Sequence, residues 1–354
     1  MKISTLARFV DQPILLNKLH KRIPSLLIGA GAIYGAYDTY KHSKGKDSRR
    51  VKNTIVKNSI IIASTAASSL AAANGLKLFG KQIIPQLIHQ PSLKNIVIKQ
   101  EQAVSDFLQK NEVSQPFILN ILKKARNSAL KPKEVEAVLD NIADSKAKSE
   151  LINVILPKPE NLTSKEIFSE VGRLSLLGAI PVVGGVIGGV VADKVTKSNN
   201  PKSTANKIKE GFYQYFANIF LCNVGACAAL FTAEKLQKAN VINPLTPLQK
   251  MAAIITGISA TGIVGGSWIA NKLSQKFIDP VFDKNKKHSS KGIYDERKPE
   301  LVDVALHVDD IATAGVLSGF KWIEPALPLM YFVSGYRAGI GYRNNNAKQN
   351  TNRE

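Results

Sequence analysis

The sequence GAIPVVGGVIGGVVADK, residues 178–194, decides how the rest of the chain is interpreted. It contains five glycines and carries no charge before Asp193. In water, each glycine inside a helix costs about 1 kcal/mol relative to alanine, and glycine also weakens strands. Inside a membrane, glycine instead lets two helix backbones approach closely. The stretch therefore predicts a membrane helix.

Long uncharged runs elsewhere support this interpretation. Residues 174–192, 211–233 and 251–271 carry no charge over 19, 23 and 21 residues, close to the roughly 20 that a helix needs to cross a bilayer. Residues 59–76 and 23–37 are weaker candidates, and the apolar residues 311–336 are broken by the sequence KWIEP. A soluble β-hairpin that turns at Gly184 and Gly185 is the alternative, but it leaves the other runs unexplained.

The predicted fold class is all-α, a polytopic membrane helix bundle of about five to six transmembrane or re-entrant helices with a small helical insert. Charge and apolar patterning divide the chain into seven predicted regions. These are a basic amphipathic N-terminus (1–22), a first membrane hairpin (23–80), an amphipathic helical insert (81–165), glycine-rich membrane helices (166–275), a basic linker with a short helix (276–310), a broken membrane segment (311–340) and a polar tail (341–354).

Two glycine-rich stretches resemble each other. GVIGGVVADKVTK (residues 185–197) aligns with GIVGGSWIANKLSQK (residues 262–276), and GAIYGAYDTYK (residues 31–41) is a fainter match. If these stretches are related, the bundle consists of three repeated helical hairpins, as in transporters with parallel repeats. Because short similarities are common among glycine-rich helices, an unrepeated bundle stays open.

Pairs of glycines four residues apart predict where the helices pack. Such pairs place two small residues on one helix face, where a second backbone can approach. The helix-packing residues predicted in this way are Gly31, Gly35, Gly184, Gly185, Gly188, Gly189, Gly262 and Gly266.

The formal net charge is +21, and its distribution identifies the expected surface partner. The lysines cluster beside apolar runs, as in KHSKGKDSRRVKN (residues 41–53), DKVTKSNNPKSTANKIK (residues 193–209) and DKNKKHSSKG (residues 283–292). Aromatic residues that could stack on bases are absent from these clusters, which disfavours nucleic acid. The clusters therefore predict contact with anionic lipids of the bilayer.

About ninety residues between the second and third apolar runs have a different character. Their apolar residues recur at helical spacing with polar faces between them, which is typical of short amphipathic helices. Thr163 with Glu166, and Thr246 with Gln249, are spaced as capping boxes that begin helices. We expect a solvated helical cap, with a surface for a protein partner as the alternative, and a homo-oligomer is also compatible with the sequence.

The sequence contains no catalytic signature that would define an enzyme, and no cofactor is expected. It has no metalloprotease helix, phosphate-binding loop or nucleophile elbow. Asp303, His307 and Asp310 share one face if residues 303–310 are helical, and two carboxylates with an imidazole could hold a divalent cation. A solvated or capping role for these three residues is the more common one.

Three charged residues within or beside apolar stretches are candidate intramembrane polar groups: Asp38, Lys321 and Glu324. Charged groups at membrane depth are costly and usually face a bundle interior or a water-filled path. The alternative is that the sequence FKWIEP (residues 320–325) is an interfacial loop with Trp322 as its aromatic anchor.

These observations predict an integral multi-pass membrane protein without enzymatic activity. A structural or organising role requires no further residues and is the first hypothesis. A channel or small-solute transporter would need polar residues along a path, and a pore-forming or membrane-inserting effector would also account for glycine-rich segments joined by lysine-rich connections. All three functions stay open at this level.

Overall fold

The computed structural model describes residues 12–43, 47–88, 93–111, 115–141, 144–155, 164–198, 201–282, 308–318 and 321–341. Within these residues the chain is helical apart from one small hairpin, so the predicted all-α class is confirmed. Residue contacts divide it into two compact units. The insert unit comprises Met1–Arg22, His89–Asn161 and Ser318–Pro325, and the bundle unit comprises Ile23–Ile88, Leu162–Leu317 and Ala326–Glu354.

Short helices build the insert unit. They are α1 (Pro13–His20), α4 (Leu93–Lys110), α5 (Pro116–Ala125), α6 (Pro132–Asp140) and α7 (Ser145–Ile155). Helices α5 and α6 each begin with proline, whose missing N–H is no loss in the first turn. Helix α1 comes from the predicted N-terminal region, yet it belongs to the same unit as the predicted insert.

Large apolar side chains form the core of the insert unit: Val104, Phe107, Ile118, Ile121, Leu122, Ala125, Leu130, Val135, Val138 and Leu151. The buried Gln12 amide holds the chain at Leu130 by donating to its carbonyl at 3.1 Å and accepting from its N–H at 3.0 Å. At the surface, a hydrogen bond from Lys124 lowers the pKa of Glu134, and backbone N–H donors at the start of α7 lower the pKa of Asp144.

Longer helices build the bundle unit. They are α2 (Ile23–Ser43), α3 (Ser48–Asn74), α8 (Ser164–Val195), α9 (Pro201–Tyr215), α10 (Leu221–Lys238), α11 (Pro247–Ile258), α12 (Ser267–Phe277), α13 (Asp279–Phe282), α14 (Val308–Leu317) and α15 (Leu327–Ile340). The predicted start of α11 is confirmed, because Thr246 and Gln249 form a capping box there. Helix α8 makes its most extensive contacts with α3 and α15.

Helix α8 also settles the interpretation of the glycine-rich stretch. It runs unbroken from Ser164 to Val195 through all of its glycines and through Pro181. The alternative of a β-hairpin that turns at Gly184 and Gly185 is therefore wrong.

Fewer helices qualify as membrane spans than the five to six predicted. Among the described residues, Ser48–Asn74, Lys165–Val195 and Lys202–Lys238 are each long and apolar enough. Leu248–Gly262 and Ser267–Phe282 qualify only as a pair, bent by 41°, which gives at most four.

Two of the predicted spans, residues 23–37 and 311–336, fail for physical reasons. Helix α2 has 21 residues, but Asp38 and Lys41 shorten its apolar part. The C-terminal stretch is divided into α14, with 10 residues, and α15, with 14, and neither reaches the roughly 20 residues of a span. A 3₁₀ helix over Lys321–Ala326 separates the two.

Two π-helical segments interrupt the bundle. Phe216–Phe220 joins α9 to α10, and Ser259–Gly266 joins α11 to α12. The two segments contact each other. The second segment covers part of the stretch that aligns with residues 185–197 of the continuous helix α8, so the two similar sequences differ in local backbone structure.

Candidate functional site

Two pairs of glycines on α8 lie at very close contacts with neighbouring helices. A Cβ atom added to Gly185 would overlap the carbonyl oxygen of Gly335 on α15, and one added to Gly189 would overlap that of Gly339. Backbone therefore meets backbone along this contact. We call the four residues Gly185, Gly189, Gly335 and Gly339 the glycine seam.

A second close contact joins the neighbouring glycines of α8 to α3. The side chains of Ser64 and Ser68 occupy the space where Cβ atoms of Gly188 and Gly184 would be. Ser64 Oγ also donates to the Gly184 carbonyl oxygen at 2.7 Å. Helix α8 therefore meets α3 and α15 through different pairs of its glycines.

The other predicted packing glycines also lie against neighbouring helices. Added Cβ atoms at Gly31 and Gly35 of α2 would meet Ile62 of α3. Those at Gly262 and Gly266, in the second π-helical segment, would meet Cys222 of α10 and Ala217 of the first π-helical segment.

Beside the glycine seam, three helices share one buried carboxylate. Asp193, near the end of α8, is 2% exposed. Its oxygens lie 3.0 Å from Lys57 Nζ of α3 and 2.6 Å from Lys207 Nζ of α9. Ser203 Oγ donates to the same carboxylate at 2.6 Å and accepts from Lys207 at 2.7 Å. We call Lys57, Asp193, Ser203 and Lys207 the ionic centre.

Packing and helix electrostatics explain why Lys207 can be buried. The aliphatic part of its side chain lies against Gly189, in space that a Cβ atom would fill. Its ammonium group lies near the C-terminal end of α8, where a cation is favoured by the helix dipole. The ionic centre therefore depends on the same glycine that brings α8 and α15 together.

A line of buried polar side chains continues from the ionic centre along α9 and into the first π-helical segment. Gln214 donates to Glu210 at 2.9 Å, and Asn218 donates to Gln214 at 3.0 Å. All three side chains are almost fully buried, and they lie inside the candidate span Lys202–Lys238. We call Glu210, Gln214 and Asn218 the polar ladder.

The structure describes the side chains of two of the three sequence-predicted polar candidates, Asp38 and Glu324. Asp38 accepts hydrogen bonds from Asn58 at 3.1 Å and from Tyr336 at 3.3 Å, within the bundle unit. Glu324 is buried but belongs to the insert unit. The side chain of Lys321 is outside the described part of the structure, so a pair between these two residues stays a prediction.

The proposed metal ligands are only partly described. Asp310 is buried near the start of α14, whereas Asp303 and His307 lie outside the described residues. Among the residues that are described, no three His, Cys, Asp or Glu side chains come together as a metal site would require.

Sequence reasoning missed both the ionic centre and the polar ladder. Lys207 and Lys209 belong to a basic stretch that was expected to lie at the membrane surface, yet both are buried. The available signal was the spacing of Glu210, Gln214 and Asn218 at intervals of four residues, which puts them on one helix face. A search for charges alone overlooks the two amides.

No protein-family model matches the chain, and no curated protein or solved structure shows significant similarity to it. Within the described residues, the structure is all-α and has three helices long and apolar enough to cross a membrane, or four candidate spans if the bent pair counts as one.

Proposed function

We propose that this chain is an integral, multi-pass membrane protein with a structural or organising role and no enzymatic activity. The observation that supports membrane residence is the outer face of α8. Val183, Ile187, Val191 and Val195 follow one another at intervals of four residues, and each is about half exposed. A continuous aliphatic stripe of this kind is unfavourable in water and suits contact with lipid.

The opposite side of α8 supports the structural role. Four of its glycines contact α3 and α15 closely, and the ionic centre links α3, α8 and α9. Close packing and fixed ion pairs hold helices in one arrangement. Such a bundle can anchor the basic loops at anionic lipid, and the insert unit then offers a surface for a protein partner or a second copy.

Extraction of membranes with alkaline carbonate tests membrane residence directly. We expect the protein to stay in the pellet and to be released only by detergent. Release into the carbonate supernatant would contradict integral insertion.

A substitution on the aliphatic stripe tests which solvent the stripe faces. A lysine near the centre of a membrane helix costs about 2.5–3.5 kcal/mol, whereas an exposed site in water tolerates it. Ile187→Lys should therefore reduce the membrane-inserted fraction. Phe117→Lys, at an exposed position of α5 in the insert unit, is the matched control and should have little effect.

A channel or small-solute transporter is the second candidate, and the polar ladder is the observation that favours it. Ionisable and amide groups buried in a span commonly mark ion or substrate pathways. Purified protein in liposomes under a membrane potential would reveal proton or potassium flux. Flux that is lost in Glu210→Gln would establish the pathway, whereas absence of flux would favour the structural role.

A further inference from the structure

The small hairpin that follows α3 presents a fully exposed aromatic side chain at its tip. Strands β1 (Leu76–Leu78) and β2 (Lys81–Ile84) pair in antiparallel fashion. Phe79 and Gly80 form the two-residue turn between them, with φ angles of 49° and 76°. Two consecutive positive φ values define a type I′ turn, which fits the twist of a hairpin.

Phe79 is an unusual residue for this turn. Asparagine, aspartate or glycine normally takes the first turn position, because other side chains are strained at positive φ. The Phe79 side chain gains no packing in return, since its exposed fraction is 102%. A large apolar group in a strained backbone conformation, with no protein contact, points to a role outside the described fold.

Exposed apolar residues and two lysines lie together around this tip. Leu78 and Ile83 are 48% and 56% exposed, and the exposed Lys77 and Lys81 flank the turn. An aromatic ring between lysines matches the chemistry of the zone between lipid headgroups and acyl chains, where rings and basic side chains are both favourable.

The position of the hairpin is fixed relative to two candidate spans. Leu87, just after β2, donates its N–H to the carbonyl oxygen of Ala72 on α3 at 3.1 Å. The Leu87 carbonyl oxygen accepts a hydrogen bond from Arg173 on α8. Helix α3 ends at Asn74, and a single residue separates it from β1. The hairpin is therefore held at the end of α3, where a span would leave the hydrocarbon.

We propose that the hairpin tip, residues 77–83, is a membrane anchor that inserts Phe79, with Leu78 and Ile83, into the headgroup region of a bilayer containing anionic lipid. Lys77 and Lys81 contact the lipid phosphates. This inference rests on the proposed membrane residence of the bundle unit. It adds a contact that fixes the depth of α3 in the bilayer.

A single-tryptophan reporter tests the anchor in the full-length chain. Trp268 and Trp322 are replaced by phenylalanine, and Phe79→Trp becomes the only reporter. The protein is reconstituted into vesicles of phosphatidylcholine and phosphatidylglycerol, with or without bromine on the acyl chains. We expect blue-shifted emission and quenching by brominated lipid at least threefold stronger than for a reporter in water, together with weak quenching by aqueous iodide.

Two further reporters separate failure of the anchor from failure of the membrane assignment. Ile187→Trp, on the aliphatic stripe of α8, reports on lipid contact by the bundle, and Phe117→Trp, on α5, reports on a surface in water. Lipid quenching of Ile187→Trp without lipid quenching of Phe79→Trp would overturn the anchor alone. Absence of lipid quenching at both positions would overturn the membrane assignment and the anchor with it.

Two other outcomes bear on the anchor. A Phe79→Trp reporter shielded from both iodide and brominated lipid would show that protein covers the tip, and this would overturn the anchor.

The lysine contribution is tested with Lys77→Gln and Lys81→Gln together. With both lysines present, we expect lipid quenching of Phe79→Trp to be greater in anionic than in neutral vesicles. In the lysine variant, we expect this difference to disappear, and its persistence would overturn the lysine–phosphate contact.

Discussion

The two units of this protein bury different kinds of residue. The core of the insert unit consists of large apolar side chains such as Phe107, Leu122 and Leu151, and its ion pairs Lys110–Glu150 and Lys124–Glu134 lie at the surface. In the bundle unit, helix α8 meets its neighbours through glycines, and the charges of Asp193 and Lys207 are buried. One face of α8 instead leaves aliphatic residues about half exposed, as at Ile187, although the bundle unit also buries large side chains such as Leu174 and Phe332.

This difference in buried residues is explained if the insert unit folds in water and the bundle unit folds in lipid. In water, burial of apolar surface stabilises a fold by roughly 25 cal/mol per Å², so large side chains move inside. In lipid, an aliphatic side chain gains nothing by leaving the solvent, and close backbone packing and buried hydrogen bonds hold helices together instead. The insert unit follows the first pattern, and the glycine contacts and exposed aliphatic face of α8 in the bundle unit follow the second.

The largest expected effect comes from filling the glycine seam. In Gly185→Leu, the new side chain would collide with the backbone of Gly335, which cannot rotate away as a side chain could. We expect a loss of stability in detergent above the about 1–3 kcal/mol typical of an overpacked core. Thermal unfolding and monodispersity in size-exclusion chromatography would measure it.

Gly172→Leu, on the same helix, is the control for the seam. A Cβ atom at Gly172 would have no neighbour within 4 Å, so this variant should stay within about 0.5 kcal/mol of the wild type. Equal stability of the two leucine variants would mean that backbone contact does not hold the bundle together.

The sequence was sufficient to predict the structural features that depend on local patterns. The uncharged runs predicted α8 and α10, the Thr246 motif predicted the start of α11, and helical periodicity predicted the helices of the insert. Spans were overcounted because apolar length was read without regard to where a helix breaks. Only the tertiary structure reveals the break between α14 and α15 and the two π-helical segments.

The ionic centre could not be predicted because it combines residues far apart in the chain. Lys57, Asp193 and Lys207 lie on three helices, and each alone resembles a charge beside an apolar run.

The hairpin was missed for another reason. Its strands contain three and four residues, too few to show clear alternation, and phenylalanine is not a usual signal for a type I′ turn.

Breaking the ionic centre should give the next largest effect. Asp193→Asn leaves the buried Lys207 without its carboxylate, and removal of one partner of a buried pair typically costs about 3–5 kcal/mol. The double variant Asp193→Asn with Lys207→Met should be more stable than Asp193→Asn alone, because no uncompensated charge stays buried there. Unfolding of all variants in one detergent, as a double-mutant cycle, measures the coupling.

Lys57→Met is the matched control for this cycle. Its side chain is 30% exposed, compared with 5% for Lys207, so water already screens its charge. We therefore expect a much smaller cost for Lys57→Met than for Lys207→Met. Equal costs would show that burial does not set the strength of the two ion pairs.

The contrast between the two units can also be tested by a substitution in the core of the insert unit. Leu122→Ala removes a fully buried side chain from the core of the insert unit, which typically costs about 2–5 kcal/mol. Hydrogen exchange should accelerate in α4 and α5 and stay unchanged in α8. Leu176→Ala, at an exposed site of α8, should change exchange in neither unit, whereas a large effect there would place Leu176 in a packed core.

The smallest expected effect is a pH dependence confined to the insert unit. Burial lowers the pKa of His20 below its ordinary value of 6.5, and the nearby Glu324 opposes this shift only in part. The unfolded chain therefore binds the proton more readily than the folded unit. Stability is complete above about pH 6.5 and falls as the pH drops from there towards the folded-state pKa.

Hydrogen exchange of the insert helices at pH 7.5 and pH 5.5, corrected for the intrinsic exchange rate, measures this loss. The lowered pKa values of Glu134 and Asp144 put the titration of these carboxylates below this window, so they do not contribute to it. We expect protection of the insert helices to decrease at pH 5.5 in the wild type and much less in His20→Gln. An equal decrease in His20→Gln, or a gain of protection at pH 5.5, would rule out His20 as the group that couples acid to the insert unit. A parallel decrease in α8 would show that the pH effect is not confined to the insert unit and would remove this contrast between the two units.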